Sequence, residues 1–446
     1  MGKLQVVKSS ANTSVLGQKP LSVRGLRPTL LTLFGWAALI VICYLWGLTY
    51  DNVAIKLEAP PLYGEFVTRL DAGVLWAVVT AALVVVGAPW LVRHASWRVL
   101  LIAIALVGFA WPLSLTMIDG TEEISDPLLV FTQYIFAVPQ VGDPGDFLSN
   151  FVERIDDYPA HVRAHPPAMV LGLWGLDQIG LGGEWAAAFV IIGVAATTAP
   201  AALIAMRALA GEESARRAAP YLVLVPAGLI IATTADALFM AVGAWAVCAL
   251  VVSIVSEGRR SDVLAVVGGL LFGLAIFLSY GLVLLTLVPL AVAVSKRRVR
   301  PIVFAAGGGL VVVLAFLAAG FWWLDGYNIT RREYSQSVAQ VRPYEYFVVS
   351  NLAAFALIMG PVAFVAITRL RDRAAWLLVG GGLAAILFAD VSGLSKAEVE
   401  RIWLPFLPWI LLATSALPSS PNWMRSLLAV QALVAIVVGV HVETLW

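Results

Sequence analysis

The residue types in this chain that could carry chemistry are concentrated in a few short stretches. Asp119 closes an apolar run in Leu115-Thr116-Met117-Ile118-Asp119-Gly120, which places it at a lipid–water boundary. Partial desolvation there raises a carboxyl pKa and makes the group a better proton acceptor. Glu122 and Glu123 are its nearest competitors and Asp71 is another, while solvating a helix end is the plainer role for any of them. Between Ile118 and Pro167 lie nine carboxylates and then His161 and His165, half of the four histidines in the chain. Pro166 restricts His165 toward extended backbone, so a shared helical face for the two rings is not assured. They could orient the loop by hydrogen bonds, bind an anionic or hydroxylated substrate together with Arg163, or, given further acidic ligands, hold a divalent cation.

Two later stretches add charge. Asp236, in Thr233-Thr234-Ala235-Asp236, either caps the following helix with help from a threonine or faces substrate, the default expectation for a carboxylate bordering membrane. Glu398, Glu400 and Arg401 precede Ile402-Trp403-Leu404-Pro405. An arginine at headgroup level can grip phosphate bidentately while its stem lies along apolar surface. With Arg331, Arg332 and Arg342 expected on the same side, a lipid phosphate or diphosphate is the ligand such a set would suit.

These residues need a membrane scaffold. Hydrophobic residues make up 61% of the 446 and charged residues only 13%, against about 25% charged in a soluble domain. The apolar residues form long blocks without strict alternation, which excludes a soluble domain and disfavours a transmembrane β-barrel. The expected fold is an all-α polytopic membrane protein of about thirteen spans, near 30–49, 72–92, 99–117, 185–206, 219–234, 237–255, 262–278, 281–295, 301–320, 346–368, 375–391, 402–417 and 426–442. Several blocks are near or below the usual spanning length, so tilted or broken helices are expected among them.

Basic clusters set the orientation. Lys3, Lys8, Lys19, Arg24 and Arg27 precede the first span; others are Arg93 with Arg98, Arg207 with Arg216 and Arg217, Arg259 with Arg260, residues 296–300, Arg369 to Arg373, and Arg425. Thirteen crossings put all of them on the cytoplasmic side, with residues 1–29 a cytoplasmic segment and 30–446 one transmembrane domain. The external loops are then 50–71, 118–184, 321–345 and 392–401. Within 118–184 two apolar pieces, Pro127 to Pro139 and Pro166 to Ile179, either lie in the interface or dip into it, or both cross; parity permits each.

The net charge of +1 shows no basic excess of the kind nucleic-acid partners require. Cys43 and Cys248 lie inside apolar blocks and read as small core residues. No cleavable signal peptide is evident. The Gly-Gly-Gly runs at 307–309 and 380–382 sit in span-like blocks, where close helix packing explains them better than nucleotide binding.

Taken in chain order, these elements resemble the GT-C superfamily of membrane glycosyltransferases, which use polyprenyl-phosphate-linked sugars. In that superfamily an acidic residue at the outer end of an early span precedes an external loop with juxtamembrane helices. The loop often ends in a His-Pro-Pro element like His165-Pro166-Pro167, and a late segment carries a Glu-x-x-Arg-x-Trp-like element, here Glu398-Val399-Glu400-Arg401-Ile402-Trp403. The chain departs from the pattern in that its motif-bearing loop follows the third span rather than the first and lacks a clean paired acidic signature.

The resemblance implies a GT-C-like helical fold in the plasma membrane and transfer of a sugar, with inversion, from a polyprenyl-phosphate donor to a cell-envelope glycan or glycolipid outside. It makes Asp119, or Glu122 or Glu123, the base. Arg401, aided by Arg331 or Arg332, would stabilise the departing phosphate, and His161, Arg163 and His165 would hold donor or acceptor. A transporter or flippase is the competing class. It predicts internal repeats and charges at mid-membrane, whereas no clear inverted repeat is visible and the charges cluster at the expected outer edge.

Overall fold

The computed structural model describes residues 23–50, 52–232 and 234–444. Lys3, Lys8, Lys19 and Thr233 therefore lie outside the described residues, as do the side chains of Arg24 and Arg27. The chain is an all-α polytopic membrane protein: nine helices among the described residues are long and apolar enough to cross a bilayer, or ten if a bent pair is one span.

We label α1 Val23–Gly47, α2 Val74–His94, α3 Trp97–Thr116, α4 Glu184–Ala195, α5 Thr198–Ala210, α6 Ala235–Val255, α7 Gly258–Leu278 and α8 Leu287–Lys296. The remainder are α9 Arg300–Ala318, α10 Tyr344–Met359, α11 Pro361–Arg369, α12 Arg373–Val391 and α13 Pro421–His441. α4 and α5 together make one 27-residue span. α6 is the most enclosed, packing against α4, α5, α7 and α8, and α1 presents Leu31, Phe34 and Ile42 outward as a lipid-facing helix does.

Four of the thirteen expected spans are not single helices of spanning length, and proline or glycine accounts for three of them. At Gly360-Pro361 the 346–368 block bends by 98°, with Gly360 at φ 82. Fully buried Gln431 of α13 fills the break, donating to the Met359 carbonyl at 3.1 Å and accepting the Val362 N–H at 3.2 Å. The 281–295 block lies in a shorter apolar helix, Tyr280–Lys296. Among its described residues the 219–234 block, with Pro220 and Pro226, forms only the short turns Ala219–Leu222 and Gly228–Ile231 before α6 begins. The 402–417 block, with Pro405 and Pro408, forms Leu404–Phe406, Leu407–Leu411 and Leu412–Ala416.

Both broken segments are almost wholly buried, the condition under which irregular backbone is tolerated at membrane depth. In the first of them backbone groups find protein partners: the Ala227 N–H donates to the Ile358 carbonyl at 2.9 Å and Trp111 Nε1 to the Val225 carbonyl at 2.9 Å. Each runs between the same two ends of the bundle. At one end Arg216 donates to the Val92 and Ala95 carbonyls and Arg93 to the Ser419 carbonyl. At the other, Asp236 meets Arg401.

The first of these is a basic end. Arg207 and Arg216 lie over the Trp97 ring at 4.7 and 5.9 Å, Arg298 donates to the Ser256 carbonyl at 2.8 Å, and Arg369 binds Thr29. The second is a loop end. Residues 118–184 form short turns there, including Tyr134–Gln140 and the helix Ala168–Gln178; at 11 residues the latter is too short to span. A two-stranded antiparallel clip, β1 Gly64–Phe66 with β2 Val442–Thr444, joins the loop after α1 to the end of α13.

In the glycine runs the middle residues carry the packing. A Cβ on Gly308 would collide with backbone of α7 and one on Gly381 with Val288, whereas Gly307 has open space. Gly308→Val should therefore lower stability by about 1–3 kcal/mol in detergent melting experiments, with Gly307→Val near wild type; equal effects at the two positions would refute the packing assignment.

Candidate functional site

The loop end is organised around Arg401, which is 5% exposed. Its Nη1 donates to Asp236 Oδ2 at 2.9 Å and its Nη2 to Glu398 Oε2 at 2.6 Å. Burial alone would lower the pKa of a guanidinium; Glu398 and Asp236 more than offset this and hold Arg401 protonated. Asp236 opens α6, and Thr234 is the cap: its hydroxyl donates to Asp236 Oδ2 at 3.0 Å and accepts the Asp236 N–H at 3.3 Å. Asp236 is thus both cap partner and ion-pair partner.

Glu398 reaches Arg401 from a strained turn. Ala397 and Glu398 have φ of 68 and 60, a left-handed conformation that costs non-glycine residues about 1–2 kcal/mol each. Asn351 fixes the turn, donating to Asp390 Oδ1 at 3.0 Å and the Ser395 carbonyl at 2.7 Å, and accepting the Ala397 N–H at 3.2 Å. Arg342 donates to the Lys396 carbonyl at 2.6 Å and the Ile55 carbonyl at 3.1 Å, and lies 3.9 Å from Glu398. Lys396 Nζ returns donors to the Ala339 and Arg342 carbonyls, both at 2.9 Å.

Glu400 points away from this cluster. It is fully buried, its Oε1 accepts the Tyr63 N–H at 2.8 Å, and its Oε2 has no hydrogen-bond partner among the described residues. Burial, seconded by the neighbouring Glu398, pushes its carboxyl up to about 7.

The histidines adjoin Arg401 and Asp236 through Tyr134. The Tyr134 ring lies 5.7 Å from His165, 6.0 Å from His161 and 6.3 Å from Phe239 of α6. Burial lowers the pKa of both imidazoles, with Arg401 adding to the effect, and raises that of the Tyr134 phenol. Neutral His165 donates from Nδ1 to the His161 carbonyl at 2.9 Å, which leaves Nε2 as an acceptor. His161 Nδ1 faces Gln133 Oε1 at 3.0 Å in the same sense. Among the described residues no three His, Cys, Asp or Glu side chains converge on a metal-sized site, so a cation held by the two histidines would need ligands from substrate.

Arg163 binds Glu333 at 3.3 Å, and Thr330 donates to the Arg163 carbonyl at 3.0 Å. Both contacts dock the helix Trp323–Gln336 on the histidine segment. Beside it opens a cavity of about 570 Å³ lined by Arg331, Arg332, Lys396, Tyr334, Asn328 and Ser335 among others, without a carboxylate.

Asp119 belongs to a second cluster. Arg69 bridges Asp119 and Glu443 of β2. Burial raises the Asp119 pKa in spite of Arg69, and Glu443 and Asp71 reinforce the rise; the Glu123 carboxyl is raised in the same way, with Asp119 as neighbour. Glu122 is exposed. The two clusters are joined by one strap of chain, from Tyr63 at Glu400 to Arg69 at Asp119. Six residues of extended backbone reach at most about 20 Å.

The structure thus groups Asp236, Glu398, Arg401, His161 and His165, sets Arg331 and Arg332 around an adjacent cavity, and keeps Asp119 and Glu123 apart with Arg69. Tyr134, Gln133, Asn351, Lys396 and Arg69 were not singled out by sequence reasoning. Of these, Arg69 had a partial signal, the one arginine in the loop 50–71, which otherwise carries Lys56 and four carboxylates. No family model, curated protein or solved structure matches this chain.

Arg401→Leu should destabilise the fold by about 3–5 kcal/mol, because it leaves buried Asp236 without its cation and Glu398, 25% exposed, with Arg342 at 3.9 Å in place of a close partner. Combining it with Asp236→Asn should recover part of the loss; strict additivity in melting experiments would contradict the pairing. For Glu400 the sign follows from a folded-state value near 7 against an ordinary 4.5. The folded protein then binds the extra proton between those values, so stability falls as pH rises from about 4.5 through about 7. Glu400→Gln keeps the acceptor for Tyr63 and should flatten that profile, gaining roughly 3 kcal/mol above neutrality; a pH–stability curve parallel to wild type would count against it.

Proposed function

We propose that this chain transfers a sugar, with inversion, from a polyprenyl-phosphate donor to a cell-envelope glycan or glycolipid at the loop end of the bundle. The observation that carries this reading is the cavity beside the Arg401 cluster, lined by exposed Arg331 and Arg332 and by Lys396, whose Nζ is tied to two carbonyls, with no lining carboxylate. The two arginines so placed suit the phosphate of a lipid-linked donor and would stabilise it as it departs. Arg401, neutralised by two carboxylates, would position the site rather than bind that phosphate.

Asp119 is the proposed base. It would take the acceptor hydroxyl proton as that oxygen bonds to the anomeric carbon and the bond from anomeric carbon to phosphate oxygen breaks. Its raised pKa and partial exposure support this role, with Glu123 the nearest substitute. The Nε2 acceptors of His161 and His165 would take hydrogen bonds from sugar hydroxyls. A GT-C-like layout is supported by the nine long helices and the bent pair, up to ten spans; it would count Tyr280–Lys296 and the two broken segments as three further traversals. With the basic end cytoplasmic, the loop end is external in the plasma membrane. The layout is similar to that of mycobacterial envelope enzymes that place methylthioxylose on lipoarabinomannan, which makes a pentose derivative one donor sugar to test.

In membranes supplied with polyprenyl-phosphate sugars, Asp119→Asn should lower transfer at least about 100-fold while leaving donor binding intact. Arg331→Gln with Arg332→Gln should weaken donor binding. Normal turnover by Asp119→Asn would remove the base assignment, and transport of an intact donor without transfer would favour a flippase.

A further inference from the structure

At the basic end, remote from the site above, a groove of about 690 Å³ runs between α5, α6 and α7. α6 contributes Trp245, Cys248 and Val252, and α7 contributes Val263, Val267 and Leu271, each set repeating at one helical turn. Apart from its mouth the lining is apolar, and Val263 and Val267 are 52% and 41% exposed, so the groove opens sideways toward lipid. Its volume is that of a site for a small molecule or a chain, within the roughly 300–1,000 Å³ typical of ligand pockets.

The mouth carries Arg259 and Arg260, the second and third residues of α7. The carboxylates nearest in sequence are engaged elsewhere. Asp262 accepts from Arg300 Nε and Nη2 at 2.9 and 2.8 Å, and Glu257 lies 4.0 Å from Arg298. Among the described residues neither Arg259 nor Arg260 forms an ion pair, so the mouth holds two uncompensated cations. Length completes the match: from Arg260 to Leu271 is eleven residues of helix, about 16 Å at 1.5 Å per residue. That is close to one leaflet of a hydrocarbon core about 30 Å thick.

We infer that this groove is a binding site for an anionic glycerophospholipid of the leaflet at the basic end, with an acyl chain along α6 and α7 and the headgroup phosphate on Arg259 and Arg260. Basic pockets between spans on the cytoplasmic side recognise anionic headgroups by this combination of charge and apolar depth. Trp245, fixed by donating from Nε1 to Thr197 Oγ1 at 2.9 Å, sits beside the chain near mid-membrane.

The test uses the full chain purified in mild detergent, offered phosphatidylglycerol or phosphatidylcholine of identical acyl chains, with retained lipid counted by native mass spectrometry. Wild type should retain phosphatidylglycerol at least five-fold over phosphatidylcholine, and R259Q/R260Q should bring the two level while R259K/R260K keeps the preference. Filling the groove with Ala249→Phe, or with Val263→Trp where the first variant does not fold, should reduce retention of phosphatidylglycerol, and glycerol phosphate without chains should not displace it. Equal retention of the two lipids by wild type, or undiminished phosphatidylglycerol in R259Q/R260Q or in the groove-filling variant, would overturn the assignment.

Discussion

Arg401 is the interaction on which the loop end depends. Three directions of chain meet at its guanidinium: the start of α6 through Asp236, the strained turn through Glu398, and the broken segment 402–417 that follows it directly. A buried cation is tolerated when its desolvation is offset by close, hydrogen-bonded carboxylates, and the 2.6 and 2.9 Å contacts meet that condition. The turn at Ala397 and Glu398 is held against its conformational preference because Asn351 and Arg342 bind its backbone from other elements, while Lys396 ties it to the Ala339 and Arg342 carbonyls.

The broken segments impose the wider constraint. Their prolines remove donors and prevent continuous helices, so backbone groups left over must be met by protein. The surrounding elements supply those partners: Ile358 of α10 for Ala227, Trp111 of α3 for Val225, and, at the bend beside them, Gln431 of α13 for Met359 and Val362. A ring of regular helices around an irregular centre is the arrangement that satisfies backbone groups which lipid cannot.

Much of the scaffold was legible in the sequence because apolar block length and basic clusters report on the bilayer directly. Nine blocks became long helices; the three shortest blocks and the one holding Gly360-Pro361 did not, whereas Pro89 and Pro112 sit inside unbroken helices. The site was legible only in part. Asp236 and Arg401 could be chosen as membrane-border charges, but their pairing spans 165 residues and leaves no local pattern. The clip that carries Glu443 to Arg69 depends on a three-residue strand pair, too short to show periodicity. Tyr134 looks like any aromatic in an apolar piece until the fold sets it against both histidines.

Four arginines read from sequence as one phosphate-binding set divide in the structure by what already neutralises them. Arg401 is saturated by carboxylates, and Arg342 is committed to the Ile55 and Lys396 carbonyls between the rings of Tyr63 and Phe347. Arg331 and Arg332 alone of the four face a cavity. The carboxylates divide in the same way. Asp236 is clamped by Arg401 and Thr234, whereas Asp119 shares one half-buried arginine with Glu443 and remains partly open. A charge fully engaged in the fold has little capacity left to change partners during a reaction, so the groups free to meet substrate are the peripheral ones. The strap from Tyr63 to Arg69 is what sets the spacing between them, since it is anchored on Glu400 at one end and on Asp119 at the other.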